Sequence, residues 1–76
     1  MEQEISYYLL FILEHGTNRV IDFVPFKFKE DSIIITIEDK EYTGVPENVR
    51  QECMKLGYDS IIFERKIYLV FNFLYI

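Results

Sequence analysis

The last ten residues of the chain, IYLVFNFLYI, offer no polar side. On a strand, successive side chains point to opposite faces. Ile67, Leu69, Phe71, Phe73 and Tyr75 would line one face, and Tyr68, Val70, Leu74 and Ile76 the other, with Asn72 the one polar residue. A strand that is apolar on both faces needs cover on both. A chain of 76 residues has material for little more than one cover. Either the strand lies within a tightly curled sheet, or a second molecule covers it. The second possibility makes an interaction surface the leading functional expectation, with Tyr68, Val70, Leu74 and Tyr75 as its residues and Tyr8 joining them from the first apolar run. Tyrosine suits this role because an apolar ring carries a polar tip.

The length allows one domain, residues 1–76. A domain this small buries only roughly 60% of the surface its unfolded chain exposes. The composition offsets this: half of the residues are hydrophobic and 17% are aromatic, so the chain is expected to fold. Its net charge of -5 disfavours nucleic acid and anionic membranes as direct partners. The expected partner is another protein or a second copy of the chain. The single cysteine, Cys53, excludes an internal disulfide, and a secreted domain of this size is usually stapled by several. Glu2 and Glu4 stand where a signal peptide would be basic. Both observations give a cytoplasmic expectation. The apolar runs are shorter than the roughly 20 residues that span a bilayer as a helix. Ile, Phe and Tyr, whose codons are A/T-rich, are abundant, and alanine and tryptophan are absent, which fits a low-GC bacterium or one of its phages.

Turn residues divide the chain. The first apolar run, residues 5–14, ends at His15-Gly16-Thr17-Asn18, and Glu14 can pair with Arg19 across that turn. The run from 19 to 28 contains Pro25, which restricts it to a sheet edge or a break. Residues 33–37, IIITI, form a β-branched strand between the turns at 30–32 and Asp39-Lys40. Residues 46–56 predict a helix: Pro46 suits its first position, Glu47 and Lys55 suit its two ends, and Gly57 stops it. Val49, Cys53 and Leu56 give it one apolar face. Two strands, near 58–64 and 67–75, are expected to follow, joined at Arg65-Lys66. The fold class is therefore α+β: a small antiparallel sheet of five to six strands, ββββαββ, with one helix packed on it. A helix over residues 5–14 would make the order αβββαββ instead.

Asp31, Glu38, Asp39 and Glu41 form an acidic surface around the isoleucine strand. Such charges act as gatekeepers that keep a β-prone segment from aggregating. They could also stand in for nucleic-acid phosphates, which would make the chain a DNA mimic. Phe26-Lys27-Phe28-Lys29 interleaves rings and bases, but on a strand these fall on opposite faces, which defeats single-strand stacking. One histidine, His15, and one cysteine are too few for a zinc site. Ser6, Ser32 and Ser60 sit in no nucleophile motif, and the three glycines form no phosphate loop. The expectation is a protein without catalytic residues, metal or cofactor. It would be a small acidic binding module that modulates, for instance inhibits, a host or phage protein. The rival is a structural domain that forms a homodimer through its doubly apolar strands.

Overall fold

A computed structural model describes the backbone of residues 2–70 and the side chains of residues 4–68. Within that span the chain is α+β, with five antiparallel strands in two sheets and one helix in the order ββββαβ. The first apolar run is a strand, β1 (Glu2–Glu14). Its turn is closed as the sequence suggests. The Glu14 N–H donates to the Arg19 carbonyl at 2.8 Å, and Gly16 and Asn18 take positive φ. The Glu14 carboxylate accepts from the Thr17 hydroxyl at 2.9 Å and from the Arg19 guanidinium at 3.0 Å. The Thr17 hydrogen bond first, and Arg19 second, hold its pKa below the ordinary value.

The turn leads into β2 (Val20–Phe26), the edge of a three-stranded sheet in the order β2-β1-β5. An edge is where Pro25 can be accommodated, since it has no N–H for a second neighbour. A register shift between Ile12 and Leu13 leaves Ile21 as an extra residue in β2. The second sheet is a hairpin of β3 (Ile33–Ile37) and β4 (Lys40–Gly44). Its turn residues are Glu38 and Asp39, one position earlier than expected, because Lys40 already pairs with Ile37. The two sheets are tied by Asp22, whose carboxylate accepts the Thr36 N–H at 3.0 Å.

The helix α1 (Pro46–Lys55) starts with proline in its first turn and Glu47 beside it, and Lys55 lies in its last turn. Gly57, at φ 92°, donates its N–H to the Met54 carbonyl at 3.0 Å and ends the helix. Val49 and Cys53 are fully buried. Leu56, expected as the third member of that face, is half exposed because it is the cap residue. Burial, and secondarily the charge of Glu52, raises the pKa of the Cys53 thiol. Among the described residues no helix is long and apolar enough to cross a membrane.

One core joins the two sheets and the helix. Leu10 and Ile12 of β1 and Phe26 of β2 are buried against Ile33, Ile35 and Ile37 of β3 and Val49 and Cys53 of α1. Tyr42, Tyr58 and Ile62 pack at its margin. Even-numbered side chains of β1 thus face inward, under the β3–β4 hairpin and α1.

The chain ends, within the described span, in a single strand, β5 (Tyr58–Val70). The expected turn at Arg65-Lys66 is absent: Arg65 pairs with Tyr7 and Lys66 with Ser6, in unbroken register. Lys66 also reaches the Glu4 carboxylate at 3.5 Å. No glycine, proline or asparagine stands there to reverse the chain, and charges alone do not make a turn. Because β2 pairs only with residues 8–13 of β1, residues 2–7 and 65–70 form a two-stranded ribbon that extends past the core. The resulting shape is 51 × 25 × 20 Å with a radius of gyration of 15.7 Å. A compact chain of this length would have roughly 11 Å.

Candidate interaction surface

The three-stranded sheet has a second face, which no described element covers. It is built from the odd-numbered residues of β1. In register with them, Phe11 lies between Phe23 and Ile61, Leu9 between Pro25 and Phe63, and Ile5 beside Ile67. Strand alternation forces this arrangement: each inward Leu10 or Ile12 sends its neighbours outward. Phe23 is 54% exposed, Phe63 44%, Ile67 41% and Ile61 40%. The central Leu9, Phe11 and Leu13 are half-buried by their neighbours alone.

The face is ordered by aromatic contacts. The rings of Phe11 and Phe23 stack at 5.6 Å with 19° between planes. Phe63 meets Phe11 edge-on at 5.8 Å and 76°. These geometries match the ring quadrupole. Two charges on β5 flank the aromatic part of this face. At one end Asp59 lies opposite Leu13, with His15 Nδ1 3.0 Å from its carboxylate. On the far side of Phe63, Arg65 lies opposite Tyr7, its guanidinium 6.0 Å from the Phe63 ring. The aromatic part of the face therefore lies between one acidic and one basic residue, and Ile5 and Ile67 continue the apolar face past Arg65.

Of the residues expected from the sequence, Tyr8 and Tyr68 fall elsewhere. Tyr8 points to the core side, stacks on Phe26 at 5.3 Å and packs at the core margin. Tyr68 pairs with Glu4 on the ribbon and is 64% exposed, on the side opposite Ile67. Val70 pairs with Glu2 through its backbone. Leu74 and Tyr75 lie outside the described residues. Sequence reasoning does not single out Leu9, Phe11, Phe23, Ile61 and Phe63. The signal for them lies in residues 5–14, whose two strand faces are both apolar.

The acidic residues have separate tasks. The Asp31 carboxylate accepts the N–H groups of Lys27 and Phe28, at 3.2 and 3.1 Å, and shapes the loop before β3. Glu38 accepts from the Tyr58 hydroxyl at 2.5 Å, which raises the tyrosine pKa. Asp39 and Glu41 face solvent on the hairpin. Among the described residues no three His, Cys, Asp or Glu side chains converge as metal ligands would. A hollow of about 240 Å³ is lined by Lys29, Pro46, Glu47, Arg50 and Ile62. It is smaller than the roughly 300–1,000 Å³ of small-molecule sites. Arg50 is already engaged there by Ser60 at 2.8 Å and Glu47 at 3.5 Å.

No family model, no curated protein and no solved structure matches this chain.

Proposed function

We propose that this chain is a protein-binding module that docks through the open face of its β2-β1-β5 sheet. The observation that carries this reading is the contiguous, ring-ordered apolar patch on a domain whose other sheet face is filled by its own core. Single exposed apolar residues are ordinary on protein surfaces, but a connected patch across three strands is not. The module modulates its partner by occupying that partner's surface. The acidic residues beside the isoleucine hairpin act as gatekeepers against edge pairing, and Glu38 ties the hairpin turn to Tyr58.

The test is a double variant, Phe23→Asp with Phe63→Asp. Both side chains are exposed, so the fold should survive, as circular dichroism and a thermal melt would show. Immobilised wild-type chain, offered a bacterial lysate supplemented with soluble copies of itself, should retain bound protein. The folded double variant should retain almost none. Equal retention by the two would remove the open face as the docking surface.

A further inference from the structure

We propose that the open face is covered by the same face of a second copy, in a two-fold sandwich that lays β5 antiparallel over the second copy's β5. This proposal rests on the docking role of the face and names its occupant. Two observations carry it: charge placement and side-chain size.

Charge comes first. Asp59 and Arg65 stand on the same side of β5, six residues apart, which is roughly 20 Å along a strand. A two-fold axis crossing the strands reverses the direction of the second copy. Asp59 of each copy then meets Arg65 of the other, and the interface has two matched charge pairs at its rim. A parallel arrangement of the two β5 strands would set like charge over like.

Size agrees with the axis that the charges set. The midpoint between Asp59 and Arg65 is Ile62, whose partners across the sheet are Leu10 and, beyond it, Val24. With the axis at that level, Phe63 lies over the second copy's Ile61, Phe11 over its Leu9, and Phe23 over its Pro25. Each ring meets a smaller group, as interdigitating sheets about 10 Å apart require. No ring is set directly over its own copy.

Area limits the strength of the contact. With large side chains contributing roughly 150–250 Å² each, the exposures above and the half-buried central residues put the face at roughly 350–500 Å² per copy. Two such faces give roughly 700–1,000 Å², the size of a weak, reversible interface. Edge-to-edge pairing of β5 is the competing symmetric contact. It would leave the apolar faces open, and it would put Glu64, Arg65 and Lys66 along the seam.

The experiment is sedimentation velocity at low ionic strength on the wild type, on Asp59→Arg, on Arg65→Asp, and on an equimolar mixture of the two variants. The wild type should be a dimer. Each single variant sets like charges against each other at both rim contacts and should weaken the dimer about tenfold or more. In the mixture, the Asp59→Arg chain carries arginine at both rim positions and the Arg65→Asp chain carries aspartate at both. Every rim contact between the two chains then joins opposite charges, so heterodimers should form with near wild-type affinity. Both positions are exposed, so neither change threatens the fold. A dimer insensitive to both variants, or a mixture no tighter than its components, overturns the antiparallel arrangement. A wild type that stays monomeric at hundreds of micromolar overturns the second copy as occupant. In that case the docking role stands if Phe23→Asp with Phe63→Asp still abolishes retention of lysate proteins, and falls with the dimer if it does not.

Discussion

At the scale of single residues, the hairpin turn between β3 and β4 is where the chain departs most from local preference. Glu38 and Asp39 sit at φ 51° and 63°. This two-residue turn favours Asn-Gly or Asp-Gly, because residues with a side chain lose roughly 1–2 kcal/mol in the left-handed region. Two carboxylates there are a costly choice for stability. They make sense as charges beside IIITI, and Glu38 gains the Tyr58 hydroxyl as a tether. Replacing Asp39 with glycine should therefore raise stability by about 1 kcal/mol in urea unfolding while leaving the Tyr58 contact in place. A loss of stability would show that the Asp39 side chain supports the turn in a way the backbone angles conceal. The acidic cluster could be read from the sequence, but its division of labour could not. Asp31 and Glu38 act on groups 3 and 20 residues away, and only folding brings the second pair together.

Elements were legible wherever local chemistry decides them. The helix carries its own start and stop, and the isoleucine strand its own composition, so both fall where the sequence places them. Gly57 is the clearest case. Nothing lies within 4 Å of a side chain added there, so any penalty comes from its φ of 92° alone. Gly57→Val should cost about 1 kcal/mol or more, measured by denaturant unfolding. A neutral result would mean that the helix end can rearrange without glycine. Elements were illegible where pairing across strands decides them. Glu64-Arg65-Lys66 looks like an exposed turn, yet its residues alternate along one continuous strand against Tyr8, Tyr7 and Ser6. A run of charges is consistent with either structure, and only the partner strand distinguishes them. The first run could likewise be read as helix or strand until both of its neighbours were in place.

At the scale of the whole molecule, the decisive quantity is which face of the central sheet receives the single cover available to so short a chain. The sequence shows that β1 is apolar on both sides, but its alternation treats the two sides alike. The β3–β4 hairpin and α1 settle the matter by packing on Leu10 and Ile12, which leaves Leu9, Phe11 and Leu13 outward. The expected surface of Tyr68, Val70, Leu74 and Tyr75, with Tyr8, followed from the two apolar faces of the C-terminal run, whereas the open face follows from topology. Neighbouring residues should therefore differ sharply in energetic role. Leu10→Ala empties a site with no solvent exposure and should cost about 2–5 kcal/mol. Phe23→Ala removes a ring that is already half in water and stacks only on Phe11, so in dilute solution it should cost about 1 kcal/mol or less. Raising the protein concentration should widen the cost of Phe23→Ala, because association stabilises the folded wild type and the truncated face gives up part of that gain. The cost of Leu10→Ala should change little with concentration. Urea titrations at two concentrations about a hundredfold apart would measure both effects. A concentration-independent cost for Phe23→Ala would leave the open face without a bound copy, and an equal cost for the two variants would mean that both faces of the sheet are covered within one chain.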